Sequence, residues 1–263
     1  MARDILNSIP EGVLAVLFVG GVVILGVGAS VLVSRRLASW RSRSAAEVVL
    51  GVSAMAMTLF ALVLAFVVVN LYSDYTTASG DVTDEANALG AIVQDARAFP
   101  GPDRRSINRA VATYVREVRT REFEALAEGE HDPVAEGRAL AIVAALQGYQ
   151  PRTPTQTTFY GAAADQLNIF LGERDNRVAK AGTEIPAPLL ALLIFLAITT
   201  ITVSLFIQTH RPSVDIALVA VVSVIVGSGL LTALILQYPY SGDIAVESDP
   251  LTEGPLSHLG DGT

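Results

Sequence analysis

Four long apolar stretches alternate with polar segments along this chain, and each is long enough to cross a membrane as a helix. They cover residues Gly12–Val33, Val48–Leu71, Pro188–Ile207 and Val214–Leu236. None of them contains Lys, Arg or Glu, and their only Asp, Asp215, lies at an edge. An α-helix of about 22 residues rises about 33 Å, enough to cross a hydrocarbon core of about 30 Å. The pattern therefore predicts an integral membrane protein with four transmembrane helices.

The first apolar stretch has the position of a secretory signal peptide, but we expect it to be a retained helix. Arg3 is followed by Asp4 and Glu11, so the basic region that precedes a signal sequence is missing. The stretch also runs directly into Arg35 and Arg36 rather than into a cleavage site of small residues.

The polar segment between the second and third stretches is predicted to be helical. We expect helices from Asp103 to about Glu128, from Val134 to Gln147, and from Thr155 towards Ala181, the last with Thr153 as its N-cap and Pro154 in its first position. No alternating strand pattern or hairpin signal is present. Because no Pro interrupts Tyr72–Phe99, we expect the second membrane helix to continue into this segment, and the helix entering the third span to do the same.

The predicted fold class is an all-α membrane protein with four transmembrane helices and a helical extramembrane bundle inserted between the second and third. The predicted parts are an N-terminal transmembrane helix pair at 1–71, the extramembrane bundle at 72–186, a C-terminal transmembrane helix pair at 187–238 and an acidic, disordered tail at 239–263. The net charge of −8 comes mainly from the parts outside the membrane. It argues against nucleic acid as a partner, because nucleic-acid binding needs a basic face.

Basic residues are concentrated in the two short loops that join paired spans. Ser34–Glu47 carries four arginines, and Gln208–Ser213 carries His210 and Arg211, whereas the twenty residues after the second span have neither Lys nor Arg. Because basic short loops favour the cytoplasm, we expect these loops inside the cell, with the insert and both termini outside the plasma membrane. Arg174, Arg177 and Lys180, just before the third span, lie on the opposite side and count against this orientation.

Three helices of the insert carry a 4-3 apolar repeat of the kind that forms the seam of a helical bundle. The apolar positions are Val82, Ala86, Leu89, Val93 and Ala96, then Ile107, Val111, Tyr114, Val118 and Ala125, then Ala163, Leu167, Phe170 and Ala181. Glu122, Arg174 and Arg177 occupy seam positions, and Glu85 flanks the first seam. Since unpaired charges in a seam are costly, we predict an ion cluster of Glu85, Glu122, Arg174 and Arg177. The alternatives are a frayed, exposed face and a ligand or ion-path role.

The second span is the best candidate to line a pore. Phe60, Phe66 and Asn70 are predicted to lie on compatible faces, and a ring of such phenylalanines would form a hydrophobic gate in a symmetric oligomer. In the alternative interpretation, Phe60 and Phe66 face lipid or a neighbouring helix. Gly26 with Ser30, and Ser223 with Gly227, have the spacing of close helix contacts, within one subunit or between subunits.

Little in the sequence indicates a catalytic, metal-binding or cofactor-binding site. The chain has no cysteine, and its three histidines, His131, His210 and His258, lack metal-ligand spacing. No glycine-rich phosphate loop or nucleophile elbow is present, and no ionisable residue lies in the middle of a span. We therefore expect no enzyme activity, no metal and no cofactor.

Several short motifs follow one another over nearly the whole chain. They are Phe60–Phe66 followed by Tyr72 or Tyr75, Glu85-Ala86 with Leu89-Gly90, Tyr114 with Val118 and Glu122-Phe123, the pair Arg174 and Arg177, and a C-terminal motif of Pro239, Tyr240, Ser241 and Gly242 followed by Ile244 and Val246. Their order and spacing resemble a bestrophin-like family of bacterial membrane proteins. Two positions depart from the family: Phe123 stands where Trp is usual, and Gln237 where Asp is usual.

Because bestrophins are oligomeric anion channels, the resemblance implies a homo-oligomer in the lipid bilayer that passes small inorganic ions, with anions favoured. It also implies a cytoplasmic insert, against the loop charges. In this interpretation the second span lines the pore, and Arg174 and Arg177 supply anion preference if they are exposed in a vestibule. The alternative is a non-transporting membrane scaffold or envelope-sensing protein whose helical bundle binds a partner.

Overall fold

The computed structural model describes residues 2–36, 46–183, 185–207 and 211–259, and no β-strand occurs within these ranges. The basic residues Arg41, Arg43 and His210 of the two short loops lie outside the described residues. The α-helices are α1 Ala2–Ser8, α2 Glu11–Arg36, α3 Ala46–Asp95, α4 Gly101–Glu117, α5 Phe123–Glu128, α6 Pro133–Gln147, α7 Pro154–Ala181, α8 Ala187–Ser204 and α9 Pro212–Leu236. The predicted all-α membrane fold is confirmed, since α2, α3, α8 and α9 are each long and apolar enough to cross a membrane.

The helices form two compact units. The membrane unit comprises Met1–Ser73 and Glu184–Gln237, and the bundle unit comprises Asp74–Thr183 and Tyr238–Thr263. Helix α3 contributes to both, as expected from the lack of proline after the second span. Its residues up to Ser73 belong to the membrane unit and those from Asp74 to the bundle unit.

Small residues bring α2 and α9 together in the membrane unit. A Cβ at Gly26 would overlap the Ser223 hydroxyl, and a Cβ at Gly227 would lie 3.5 Å from the Val19 backbone. Helices in lipid associate by close van der Waals packing, which small residues permit. The small-residue pairs seen in the sequence therefore make contacts within one subunit.

An apolar core joins the remaining membrane helices. It consists of Phe60, Val67 and Leu71 of α3, Leu193 and Ala197 of α8, and Val222, Val226 and Ala233 of α9. The Thr200 hydroxyl of α8 donates a hydrogen bond of 3.4 Å to the Ala56 carbonyl of α3. This face of α3 is therefore occupied by neighbouring helices of the same chain.

The seams of the bundle unit follow the predicted pattern with one shift. All the apolar seam positions of α3 and α7 are buried. In the second seam Leu126 is buried in place of Ala125, which is half-buried. The cause is a π-helical turn at Val118–Glu122, because its wider winding shifts the later residues by one position.

The helix is interrupted between α7 and α8, where the sequence predicted one continuous helix. Helix α7 ends at Ala181 with Gly182 as its C-cap, and α8 begins at Ala187 with Pro186 as its N-cap. Proline has no N–H to donate and disfavours helical backbone in the residue before it. Pro186 and Pro188 therefore set a new helix start close to the predicted end of the insert.

The C-terminal segment, predicted to be a disordered tail, instead packs on the bundle unit. It forms two 3₁₀ helices, Asp249–Thr252 and Gly254–Leu259, and Val246, Leu251 and Leu256 join the buried core. These apolar residues are about five positions apart, a spacing that matches neither a helix nor a strand. Sequence periodicity therefore gave no sign that the segment is ordered.

Candidate functional site

The structure brings the four predicted seam charges together inside the bundle unit. Glu85 comes from α3, Glu122 from the last position of the π-helical turn, and Arg174 and Arg177 from α7. Glu85, Glu122 and Arg177 are fully buried, and Arg174 is 7% exposed. We call these four residues the ion cluster.

Direct hydrogen-bonded ion pairs connect the whole cluster. Arg177 Nε lies 2.6 Å from Glu85 Oε2, and Arg177 Nη2 lies 2.8 Å from Glu122 Oε2. Arg174 Nη2 lies 3.0 Å from the other oxygen, Glu122 Oε1. Two carboxylates and two guanidinium groups thus balance in charge, which is the condition under which charges are tolerated in an interior.

Tyr114 belongs to the cluster, although its sequence position indicated only an apolar seam residue. Its hydroxyl donates a 2.5 Å hydrogen bond to Glu85 Oε1 and accepts one of 3.2 Å from Arg177 Nη2. Burial raises the pKa of Tyr114 well above its ordinary value, and the negative charge of Glu85 raises it further. The phenol therefore stays protonated and acts as a donor.

Aromatic rings cover the apolar sides of the cluster. Arg177 Cζ lies 5.5 Å from the centre of the Phe123 ring, within the range of a cation–π contact. Phe123 meets Tyr240 edge-on at 6.0 Å, and Tyr114 meets Phe170 edge-on at 5.1 Å. Burial by itself would lower the pKa of Arg177, but the negative charges of Glu85 and Glu122 outweigh it and raise that pKa.

A second ion pair, missed in the sequence, lies beside the cluster. Lys180 Nζ is 2.7 Å from Asp81 Oδ2, and Asp81 is almost fully buried. Asp81 precedes Glu85 by four residues and Lys180 follows Arg177 by three, so each lies one helical turn away. The spacing of Asp81 and Glu85 on one side of α3 was the signal that could have revealed it.

These contacts distinguish the interpretations of the seam charges. An exposed, frayed face would leave the charged groups in water, but the two glutamates and Arg177 have no exposed surface. The pairing satisfies the carboxylates within the bundle unit, which is the geometry of a structural ion pair. Within the described residues, no group of three or more His, Asp or Glu side chains could hold a metal ion.

The family-like C-terminal motif lies against the cluster. Tyr240 is buried on Phe123, and its hydroxyl has no hydrogen-bond partner among the described residues. Burial raises the pKa of Tyr240 above its ordinary value. The Val246 N–H donates a hydrogen bond of 2.7 Å to the Pro239 carbonyl. Gly242 has a φ of 86°, a left-handed conformation that favours glycine. The motif is thus a turn that seats Tyr240 on the bundle.

The three pore candidates on α3 do not share one face. Phe60 is buried against the other membrane helices, whereas Phe66 is 62% exposed and Asn70 is also exposed. Six residues turn an α-helix by about 240°, so Phe60 and Phe66 point in different directions. Asn70 Nδ2 donates a 2.8 Å hydrogen bond to the Phe66 carbonyl, one turn earlier.

Phe66 lies on an exposed apolar stripe of α3 that the sequence analysis did not separate from its buried face. The stripe consists of Val48, Val52, Met55, Leu59, Leu62, Phe66 and Val69, all at least 47% exposed. Their spacing alternates between four and three residues, the repeat of a helix seam that packs against or faces other helices. We call this set the α3 stripe.

Comparison with known proteins places the chain in a family. A model of the Bestrophin-like domain matches residues 20–251, which covers most of both units. No curated protein and no solved structure matches the chain. With four helices apolar enough to cross a bilayer and a match over nearly its full length, this chain belongs to the Bestrophin-like family of membrane proteins.

Proposed function

We propose that the protein is an oligomeric, non-enzymatic channel of the plasma membrane that passes small ions, with anions favoured. Membership of the Bestrophin-like family supports this function class. The observation that carries the proposal is the α3 stripe, because its seven apolar residues are left uncovered by the helices that the structure describes.

The α3 stripe is suited to line a path between copies of the chain. Helices that repeat around a symmetry axis present the same residue at the same height, so Phe66 would form a ring. Rings of apolar side chains gate pores by expelling water. Asn70, one turn along the same exposed side, would supply a polar ring next to the gate. Phe60 has no part in this proposal, since its ring is buried within the membrane unit.

Anion preference in this proposal does not come from Arg174 and Arg177. Both side chains are buried, and their charges are neutralised by Glu85 and Glu122. The suggestion that they give a vestibule its positive charge required them to be exposed, and they are not. The preference for anions therefore rests on family membership.

Flux from liposomes tests the channel proposal. Purified protein of defined oligomeric state is reconstituted, and chloride and potassium fluxes are measured separately. Phe66→Ala is expected to raise or abolish flux by altering the gate, and Asn70→Ala to change the ratio of the two fluxes. Phe195→Ala is the matched control, because Phe195 is a phenylalanine of α8 with 63% exposure, equal to that of Phe66 within a percentage point.

Wild-type flux with an effect at Phe66 and none at Phe195 supports the pore. Equal effects at the two positions, or flux from a monomer, would count against α3 as its wall. A well-folded preparation without chloride or potassium flux overturns the channel and favours the scaffold, whose bundle unit would bind a partner.

We further propose that the short basic loops are cytoplasmic and that the bundle unit and both termini are outside. The four arginines of the first loop support this orientation. Because the chain has no cysteine, single cysteines can be introduced without background. Asp84→Cys, at an exposed position of the bundle unit, is expected to react with a membrane-impermeant maleimide on intact cells. Labelling only after lysis would establish the opposite orientation.

A further inference from the structure

A groove of about 420 Å³ lies within the bundle unit, and no residue of the ion cluster lines it. One wall is formed by α4 and the π-helical turn, and the other by the two 3₁₀ helices of the C-terminal segment. Volumes of about 300–1,000 Å³ are typical of small-molecule sites. The groove exists only because the C-terminal segment is folded against α4, so it could not be predicted from the sequence.

Two arginines without ion partners line this groove. Arg116 and Arg119 lie three residues apart on one side of their helix, and both are exposed. Among the residues that the structure describes, neither guanidinium group forms an ion pair or donates a hydrogen bond. Nearby Arg121, by contrast, pairs with Glu117 at 3.4 Å. Two adjacent uncompensated cations repel each other, and a bound anion would relieve that repulsion.

The remainder of the groove is largely apolar. Val115 and Leu259 line it as half-buried residues, and Leu256, which is 5% exposed, forms part of its base. A simple inorganic anion would make no use of this surface, whereas a ligand with an apolar body would remove it from water at a gain of about 25 cal/mol per Å².

Three hydroxyl groups in the lining have their protons committed to the backbone. Thr120 donates to the Arg116 carbonyl at 2.8 Å, and Thr252 and Ser257 donate to backbone carbonyls at 2.8 and 2.7 Å. They therefore act towards a ligand as acceptors. The positive charge that recognises an anion is supplied by the two guanidinium groups.

From these contacts we propose that the groove binds a small amphiphilic anion. A phosphate or carboxylate head is held by Arg116 and Arg119, and an apolar body lies along Val115, Leu256 and Leu259. The complementarity is of charge as well as shape, since the two guanidinium groups border an apolar concavity. The same chemistry is available from a free metabolite-like anion and from the head-group region of an anionic lipid. The site does not depend on whether the protein conducts ions.

Calorimetry on the full-length protein in phosphatidylcholine nanodiscs tests this site, with phenyl phosphate as the probe. Phenyl phosphate is expected to bind about tenfold more tightly than inorganic phosphate and than phenol, because only it has both head and body. The double variant Arg116→Gln/Arg119→Gln is expected to bind it about tenfold more weakly. The double variant Arg104→Gln/Arg105→Gln is the charge-matched control on α4, since both arginines are exposed and lie outside the groove.

Equal affinity for phenyl phosphate and inorganic phosphate would contradict the proposal that the ligand is amphiphilic. An affinity for phenyl phosphate that is unchanged in the double variant would contradict the proposed site. If the glutamine variant fails to fold, two other variants test the site. Arg116→Lys/Arg119→Lys retains both positive charges, and Leu259→Asn makes the apolar wall polar. The lysine variant must then bind phenyl phosphate more tightly than the Leu259→Asn variant. Loss of binding in Arg104→Gln/Arg105→Gln as well would reduce the effect to net charge and contradict the proposal.

A second set of nanodiscs distinguishes the two sources. With about one fifth phosphatidylglycerol, the ratio of wild-type to double-variant affinity for phenyl phosphate is measured, so that the surface potential, which acts on both proteins, cancels. A ratio that falls to one supports an anionic lipid as the occupant. A ratio that persists supports a free amphiphilic anion.

Discussion

In the membrane unit α2 meets α9 through Gly26 and Gly227, whereas in the bundle unit α3 meets α7 through the buried pair of Glu85 and Arg177. Lipid is as apolar as the side chains it surrounds, so membrane helices gain little from burying apolar area and depend on close van der Waals packing. Bundle helices with charged outer faces gain from apolar burial, which is not directional. We expect the buried ion pairs to fix which helix faces meet.

The largest loss of stability is expected from a substitution at Glu122, whose two oxygens pair with Arg174 and Arg177. Glu122→Ala leaves Arg174 without its buried carboxylate partner and Arg177 with Glu85 alone, and it should lower the free energy of unfolding by about 3–5 kcal/mol. Chemical unfolding of the detergent-solubilised protein measures this. Glu124→Ala, at an exposed position two residues later in the chain, is the control and should change stability by less than about 0.5 kcal/mol. Equal stability of the two variants would show that the cluster does not hold the bundle.

The two buried tyrosines beside the cluster should respond differently to the loss of a hydroxyl. Tyr114→Phe removes the donor to Glu85 and should cost about 1.5–3 kcal/mol, the range for hydrogen bonds to charged groups. Tyr240→Phe removes a hydroxyl that has no partner in the described structure and should leave stability unchanged or slightly raised. The same unfolding measurement compares the variants. A larger loss at Tyr240 would reveal a partner for its hydroxyl.

A Cβ at Gly26 tests the packing of the membrane unit. Gly26→Ala places a methyl group against the Ser223 hydroxyl and should destabilise the protein by about 1–3 kcal/mol through overpacking. Gly28→Ala on the same helix meets no atom within 4 Å and should be neutral, while Ser223→Ala should partly restore the Gly26 variant. Unfolding in mixed micelles provides the measurement. A neutral Gly26→Ala variant would mean that α2 and α9 do not depend on this close approach.

The smallest expected effect is a loss of stability at high pH, caused by the two buried tyrosines of the bundle unit. Below about pH 10 a tyrosine is protonated in both the folded and the unfolded chain, so its contribution to the free energy of unfolding is fully present. Above that pH the unfolded chain releases the proton, but folded Tyr114 and Tyr240, whose pKa values are raised, retain it. Each should then reduce stability by up to about 1.4 kcal/mol per pH unit. Unfolding between pH 9 and 11 should show a shallower slope in Tyr114→Phe, and an unaltered slope would contradict the raised pKa.

Periodicity alone located most of the ion cluster. The 4-3 spacing placed Glu122, Arg174 and Arg177 on buried seams, and the cost of unpaired charge required them to meet. It could not include Tyr114, because a tyrosine in a seam looks like any apolar residue until its hydroxyl is placed next to Glu85. Nor could it separate Phe60 from Phe66, since in an all-apolar helix both faces have the same composition.

Features that depend on local composition could be predicted from the amino-acid sequence: four apolar helices of membrane length, the seams of the bundle and the charges that lie on them. Features that depend on neighbours distant in the chain became visible only in the folded molecule. The tertiary structure shifted the second seam by a π-helical turn at Val118–Glu122 and folded the segment after Tyr240 onto α4 to form the arginine-lined groove. It also left the α3 stripe exposed. The reason is that a periodic pattern shows which side of a helix is apolar, whereas the partner that covers it is chosen by packing across the whole molecule.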